Sequence, residues 1–135
     1  MRIAVVAASE KQSERLTRCA QALSRQFSVE GHVSDFYTTT DSRFSTYDFL
    51  VVCSEPSGAG SAMGRKLGEQ LSQGGNLVGK RSMAILVKSG LRSRKALENM
   101  MKSLEKEGLV VTMAEIVANE AESAAAAREA PLIRG

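Results

Sequence analysis

The feature that most constrains this chain is a regular alternation of short apolar runs with amphipathic, helix-like segments. Five runs are predicted to be strands: residues 2–7, 29–36, 49–53, 83–87 and 109–117. Unbroken runs such as residues 3–6 are typical of strands that are buried on both faces, as in parallel sheets. Strands that alternate with helices predict one parallel sheet covered by helices on both faces. We therefore expect an α/β fold in which residues 1–135 form a single domain.

Four helical patterns accompany these runs. In the first, apolar residues recur at positions 16, 19, 20, 23 and 27, which lie on one face of a helix. Ser9 and Gln12 have the spacing of a capping box and are predicted to begin that helix. The second pattern follows Gly60, and the third is expected to end at Gly108. Asn119 is predicted to cap a last, alanine-rich helix. The polar stretch 37–47 is predicted to be a loop or a short helix.

Composition excludes several classes of protein. With 43% apolar residues the chain is too apolar to be disordered, yet no run approaches the roughly 18 apolar residues of a membrane-spanning helix. The sequence becomes charged at Glu10, too early for a signal peptide, so a cytoplasmic protein is expected. Two cysteines form no disulfide framework, and one histidine without a CxxC motif does not favour a metal site. The aromatic content of 4%, without tryptophan, argues against a nucleic-acid-stacking surface.

Two short features could carry chemistry of other kinds. Gly58, Gly60 and Gly64 form a GxGxxxG pattern, which is typical of dinucleotide sites. Such a site needs an acidic residue after the next strand, where this chain has Lys88. We therefore interpret Gly60, Gly64 and Gly68 as allowing a helix to lie close to the sheet. Cys53 ends the third apolar run, and a reactive thiol there is the alternative to a small buried hydrophobe, which we favour.

Three segments of the sequence resemble the flavodoxin family. Residues 45–58 (STYDFLVVCSEPSG) are similar to the segment in which a YD pair opens the third strand and a G-S-P-x-Y-G loop follows it. Residues 76–90 (NLVGKRSMAILVKSG) are similar to the L-x-G-K-x-x-A-x-F-x-x-x-G segment around the fourth strand. Residues 104–111 (LEKEGLVV) are similar to the L-x-x-x-G-x-x-V segment that leads into the fifth. The resemblance implies a flavodoxin-like three-layer α/β/α sandwich whose five-stranded parallel sheet has the order 2-1-3-4-5.

The resemblance also implies FMN as the cofactor and electron transfer, an oxidoreductase role, as the activity. In the family, the FMN phosphate binds the loop after the first strand, commonly T/S-x-T-G-x-T, through backbone N–H groups, hydroxyls and a helix N-terminus. The loops after the third and fourth strands hold the isoalloxazine ring. These loops contain the candidate FMN-binding residues Ser9, Lys11, Gln12, Ser13, Ser54, Pro56, Ser57, Gly58, Ser89 and Gly90.

The same loops depart from the family pattern. Lys11 stands at the glycine position of the phosphate loop, and Glu10 stands at a threonine position. A carboxylate ~5 Å from a phosphate repels it by roughly 3 kcal/mol per unit charge at an effective dielectric constant near 20. Residues 53–60 and 88–94 contain no aromatic side chain that could stack on a flavin ring. The net charge is +3, whereas electron-shuttle flavodoxins are typically acidic.

Two functions are therefore open. In the first, the chain is an FMN-dependent redox protein with a weak or altered flavin site. In the second, it is a binding or regulatory protein that keeps the flavodoxin fold, has lost FMN and uses a basic edge to bind an anionic partner.

The basic edge is predicted from an acid-free stretch of the sequence. Between positions 80 and 97 there are six basic residues: Lys80, Arg81, Lys88, Arg92, Arg94 and Lys95. Lys88, Arg92 and Arg94 are predicted to border the ligand crevice, where they would attract a small anionic ligand or an acidic redox partner. Lys80 and Arg81 precede the fourth strand and are predicted to lie at the opposite edge of the sheet.

Overall fold

Five strands form one parallel sheet in the computed structural model, which describes residues 1–8, 13–39, 42–56, 71–72, 75–88 and 93–132. The strands are β1 (Arg2–Ala7), β2 (Val33–Tyr37), β3 (Phe49–Ser54), β4 (Arg81–Val87) and β5 (Val110–Val117). Their order across the sheet is β2-β1-β3-β4-β5, and every neighbouring pair is parallel. The expected order 2-1-3-4-5 and the expected strand direction are confirmed.

Helices pack on both faces of the sheet and complete three layers. They are α1 (Glu14–Val29), α2 (Ser93–Lys106) and α3 (Glu120–Glu129), and a short 3₁₀ helix spans Ser42–Thr46. On one face, Leu16 of α1 and Ala127 of α3 share a buried cluster with Val5 of β1. On the other face, Met100 of α2 shares a buried cluster with Val6. Because successive residues of a strand point to opposite faces, β1 and β4 contribute to both clusters, as expected for the interior of an α/β/α sandwich.

A serine cap fixes the start of α1. Ser13 is extended, with φ −112° and ψ 152°, and its Oγ accepts a hydrogen bond from the backbone N–H of Leu16 at 3.0 Å. The helix therefore begins at Glu14, and the predicted start at Ser9 with Gln12 is wrong. The buried face of α1 begins only at Leu16, so an earlier helical turn would bury no apolar surface.

The predicted end of α2 and the predicted cap of α3 are confirmed. Asn119 caps α3, because its Oδ1 accepts the backbone N–H of Glu122 at 2.9 Å. α2 ends at Lys106, and Gly108 follows with φ +88°, a conformation that favours glycine. A Cβ atom on Gly108 would lie 2.8 Å from Cγ2 of Val78, so the available space also requires glycine at this turn.

β2 begins later than predicted, at Val33 rather than Val29. α1 extends through Val29, and the backbone then turns at Gly31 with φ +94°. The N–H of His32 donates to the carbonyl oxygen of Phe27 at 3.1 Å and closes this turn. Val29 is 79% exposed, so the β-branched side chain that favoured a strand lies outside the core.

The polar stretch between β2 and β3 forms the 3₁₀ helix and covers one face of β2. Tyr47 donates from its hydroxyl to Oδ2 of Asp35 at 2.6 Å, and the hydroxyl of Tyr37 donates to that of Tyr47 at 2.6 Å. The ring of Tyr37 packs edge-on against Phe44, with the centroids 4.9 Å apart. Burial and the hydrogen bond to Asp35 raise the pKa of Tyr47 above its usual range. Both tyrosines of the chain thus take part in ring packing and hydrogen bonds within the fold.

The helix predicted after Gly60 lies outside the described residues, except for Leu71, which is buried. The longest described helix, α1, has 16 residues, and no helix in the described part of the chain is long and apolar enough to cross a membrane.

Candidate functional site

The carboxyl ends of β1 and β3 meet where open parallel sheets bind their ligands. β1 pairs with β2 on one side and with β3 on the other, so strand order reverses at this point. The backbone N–H of Ala8 donates to the carbonyl oxygen of Cys53 at 2.8 Å, which holds the two strand ends together. The ends of β1, β3, β4 and β5, with the first turns of α1 and α2, are termed the carboxyl edge.

Ser13 lies at the carboxyl edge as the cap of α1. Its Oγ accepts the N–H of Leu16, so the hydroxyl proton of Ser13 is available for a second partner. The first N–H groups of a helix carry a partial positive charge that favours anions. Ser13 therefore offers a hydroxyl donor at a position suited to a phosphate group.

Ser54 ends β3 with a fully buried hydroxyl that has no hydrogen-bond partner in the part of the chain that the structure describes. Alternation along the strand puts Ser54 on the same face as Leu50 and Val52, which pack in the cluster with α2. An unpartnered buried hydroxyl costs roughly 1–3 kcal/mol, which a polar ligand atom could recover. Pro56 follows and is half-buried. The other candidate FMN-binding residues lie outside the described residues: Ser9, Lys11, Gln12, Ser57, Gly58, Ser89 and Gly90.

Arg15, which the sequence analysis did not single out, connects the ends of three strands. Its Nη1 donates to the carbonyl oxygen of Lys88 after β4, and its Nη2 donates to that of Ala118 after β5 at 2.9 Å. Nη1 also lies 4.0 Å from Oε2 of Glu55, the residue that follows β3. One side chain from the first turn of α1 thus reaches the segments after β3, β4 and β5. Its place in the sequence, shortly after the loop that was expected to bind phosphate, was the only sequence signal for it.

A second feature that sequence reasoning missed is Ser93, the first residue of α2. Its hydroxyl is buried and, within the described ranges, has no hydrogen-bond partner. Ser93 shares the buried stripe of α2 with Ala96 and Met100, so it faces the sheet on the same side as Ser54. The carboxyl edge therefore contains two buried hydroxyls on that side that lack partners among the described residues.

The two cysteines lie beneath the carboxyl edge. Cys19 of α1 and Cys53 of β3 belong to the same buried cluster. Burial raises the pKa of both thiols above the usual range. A raised pKa keeps a thiol protonated, and the protonated form is a poor nucleophile. The interpretation of Cys53 as a small buried hydrophobe is confirmed.

The basic residues separate between the two ends of the sheet as expected. Lys88 follows β4 and is exposed, and Arg94 and Lys95 are exposed in the first turn of α2. Arg92 lies outside the described residues. Lys80 lies at the opposite end, where its Nζ donates to the carbonyl oxygens of Ser45, at 3.0 Å, and Tyr47. Lys80 therefore stabilises the end of the 3₁₀ helix and takes no part in the carboxyl edge.

Solved structures with the same fold cover nearly the whole chain. A flavodoxin from Streptococcus pneumonia TIGR4 matches with a TM-score of 0.73 and 16% identity, over 96% of this chain and 94% of that one. Oxidised flavodoxin 2 from Bacillus cereus matches with a TM-score of 0.69 and 16% identity, over 96% of this chain and 99% of its own. A short-chain flavodoxin associated with a non-canonical PDU bacterial microcompartment matches with a TM-score of 0.69 and 17% identity, over 95% of each chain.

No protein-family model and no curated protein matches the chain. The solved structures confirm the expected resemblance at the level of the fold: the chain has the flavodoxin-like three-layer fold over almost its entire length.

Proposed function

We propose that this chain is a flavodoxin-like redox protein that binds FMN at the carboxyl edge through an altered site. The observation that carries the proposal is Ser13, which caps α1 beside the end of β1 and keeps a hydroxyl proton for a phosphate oxygen. When bound, FMN would supply the electron-transfer chemistry through its isoalloxazine ring. The proposal includes the cytoplasmic location expected from the sequence.

The described residues fit the phosphate and other polar parts of FMN better than its ring. Ser13 and the first N–H groups of α1 suit the phosphate, and the buried hydroxyl of Ser54 suits a polar ligand atom near β3. Residues 53–60 and 88–94 offer no aromatic ring. Stacking of a base on an aromatic side chain is worth roughly 1–3 kcal/mol, so its absence predicts an affinity lower by about one to two orders of magnitude.

A pair of substitutions at Ser13 tests this proposal. Ser13→Gly removes the hydroxyl but keeps a residue that is tolerated as a helix cap, at a stability cost of only a few tenths of a kcal/mol. Ser13→Thr keeps both the cap and the hydroxyl. In titrations followed by visible flavin absorbance, we expect Ser13→Gly to weaken FMN binding by about tenfold, the value of one hydrogen bond to a charged group, and Ser13→Thr to bind like the wild type. Equal affinity in both variants, or no FMN binding by any of the three proteins, would contradict the proposal.

A second candidate function is the binding of an anionic ligand or acidic partner without FMN. It is favoured by the exposed side chains of Lys88, Arg94 and Lys95, which lie at the carboxyl edge with no acidic residue between positions 80 and 97. Several like charges together create a field that recruits anions and fades beyond the ~10 Å screening length at 0.1 M salt.

Charge reversal at the carboxyl edge, compared with charge reversal toward the far end of α2, tests this second candidate. Lys88→Glu with Arg94→Glu changes the carboxyl edge, whereas Lys102→Glu with Lys106→Glu makes the same change of charge toward the other end of α2, where both lysines are exposed. If the basic edge is the binding surface, only the first double variant loses salt-sensitive binding of an acidic partner protein. If both double variants still bind the acidic partner, the basic residues of the carboxyl edge form only a solvated surface.

A further inference from the structure

β5 is an edge strand that lacks the usual protection of such strands. It is the longest strand of the sheet, with eight residues, and among the described strands it pairs only with β4. Edge strands are commonly kept short, or they carry lysine or proline, which hinder pairing with another chain. β5 contains neither residue type, and its single charged side chain is Glu115. The register against β4 skips Thr112, so residues 113–117 form the regular part of this edge, termed the open edge.

The backbone of the open edge offers hydrogen-bond groups to a further strand. The carbonyl oxygen of Val117 accepts the N–H of Lys88, the residue after β4, so it points toward β4. The polar groups of successive residues point to opposite sides of a strand, so those of Ala114 and Ile116 point away from β4. A strand of another chain can therefore pair with β5 at these two residues.

An apolar strip lies beside the open edge, on the face of the sheet that α2 covers. Five partly buried side chains of α2 and β5 form this strip and pack against the buried cluster beneath α2: Leu97, Met101, Val111, Ala114 and Ile116. The right-handed crossover that is nearly universal between parallel strands turns the side of α2 that bears Leu97 and Met101 toward the open edge. Half-buried apolar surface thus lies next to the open edge, as in surfaces that bind another protein.

We infer that two copies of this chain pair about a twofold axis through the open edge and α2, with their β5 strands antiparallel. A twofold interface must be self-complementary, because both copies use the same surface. The charges of α2 meet this condition. Arg94 and Glu105 are exposed and lie at the two ends of the stripe that contains Leu97 and Met101. In an antiparallel pair of α2 helices, Arg94 of each copy lies opposite Glu105 of the other.

Ala114 is the residue of the open edge that best fits the twofold axis. An axis at Glu115 would put two carboxylates directly opposite each other, which destabilises an antiparallel pair. With the axis at Ala114, Met113 of one copy lies opposite Glu115 of the other, and no like charges meet. The small side chain of Ala114 also leaves room for Leu97 and Met101 of both copies to meet above the paired strands.

The size of this interface predicts a weak dimer. A standard interface buries about 800 Å² and roughly 20–30 residues on each partner. The open edge and one side of α2 supply fewer residues than this, so we expect a dissociation constant of about 100 µM. The inference goes beyond the proposed function and does not depend on flavin binding.

Sedimentation velocity of the full chain, from about 10 µM to about 1 mM, tests the inference. We expect the wild type to change from monomer toward dimer over this range. Ala114→Pro removes an N–H that points away from β4 and keeps the pairing with β4, because proline is tolerated in an edge strand where the N–H faces solvent. Each dimer loses two such donors, so Ala114→Pro should weaken dimerisation by about tenfold.

A charge swap on α2 tests the twofold pairing without a change in the strand. Arg94→Glu puts two carboxylates opposite each other at two places and should weaken dimerisation by about fivefold. Arg94→Glu combined with Glu105→Arg restores both pairs and should return the dissociation constant to within about twofold of the wild type. Lys95→Glu is the matched control, because it makes the same change of charge at an exposed residue outside the stripe of α2, and it should leave dimerisation unchanged.

A wild-type protein that stays monomeric at every concentration would overturn the inference and leave the open edge to a partner of another kind. A dimer that either Ala114→Pro or Arg94→Glu leaves unchanged would also overturn it, as would a loss in Arg94→Glu that Glu105→Arg does not restore. Concentration-dependent amide NMR shifts identify the surface: shifts at Ala114 and Ile116 support the inference, and shifts centred elsewhere contradict it. Thermal unfolding verifies that each variant is folded, and the charge variants decide the result if Ala114→Pro does not fold.

Discussion

The Arg15 guanidinium donates to the carbonyl oxygen of Ala118 at 2.9 Å and thereby ties the first turn of α1 to the turn between β5 and α3. α1 and α3 are neighbours in one layer, but they are far apart in sequence. A side chain that bonds two backbone carbonyls and faces Glu55 holds the segments after three strands in fixed positions. Preorganised segments lose less entropy when they bind a ligand, so under the proposed function this contact would favour binding.

Loss of the Arg15 contacts should destabilise the fold measurably. Hydrogen bonds from a charged donor contribute roughly 1.5–3 kcal/mol, and the partial exposure of Arg15 lowers this value. We expect Arg15→Gln to lower the free energy of unfolding by about 1–2 kcal/mol in chemical denaturation. Arg18→Gln, which removes only the exposed pair with Glu14, should cost at most about 0.5 kcal/mol. Equal losses in the two variants would show that Arg15 does not hold the strand ends.

Two glycines with similar backbone conformations should differ in their tolerance of a Cβ atom. Gly31 has φ +94° with no heavy atom within 4 Å of a built Cβ, whereas at Gly108 (φ +88°) the Cβ would meet Val78 at 2.8 Å and 2.9 Å. Gly31→Ala should therefore cost only the conformational term of about 1–2 kcal/mol. Gly108→Ala should cost about 1–3 kcal/mol more, because the second contact is with backbone. Equal unfolding free energies for the two variants would contradict this account of the turn.

The local pattern of apolar and capping residues predicted those elements that are stabilised by residues close to one another in the sequence. The buried stripe of α1 and the cap at Asn119 are set by residues within a few turns, and both were predicted. The start of α1 was not, because Ser9 and Ser13 are both good caps and only the burial of Leu16 against the sheet selects Ser13. The contacts of Arg15 could not be predicted either, since their partners follow strands far along the chain.

Removal of the Tyr47 hydroxyl should change how stability depends on pH. Burial and the hydrogen bond to Asp35 raise the pKa of Tyr47 in the folded state above its usual 10.0, so the protonated phenol stabilises the fold. That contribution is fully present below pH 10.0 and is lost as the pH rises through the folded-state pKa. We expect Tyr47→Phe to be less stable than the wild type by about 1–3 kcal/mol at neutral pH. The difference in stability between the two proteins should shrink above pH 10. A difference in denaturation midpoint that stays constant above pH 10 would contradict a stabilising role for the protonated Tyr47 hydroxyl.

The two thiols should be unreactive in the native protein. Cys19 and Cys53 are buried, and burial raises the pKa of each, so little thiolate is present near neutral pH. A colorimetric thiol reagent should modify neither residue in buffer and both residues in denaturant. Rapid modification of Cys53 in the folded protein would show that the end of β3 opens to solvent.

The measurement that tests the central claim most directly is an amide NMR titration of the wild-type protein with FMN. If FMN binds at the carboxyl edge, the shifts should saturate with one equivalent bound and should cluster at Ala8, Ser13 and Ser54, with the amides of Lys80 and Gly108 at the other end of the sheet unchanged. Absence of saturable shifts, or shifts centred on Lys80 and Gly108, would contradict the assignment of a flavin site to this edge.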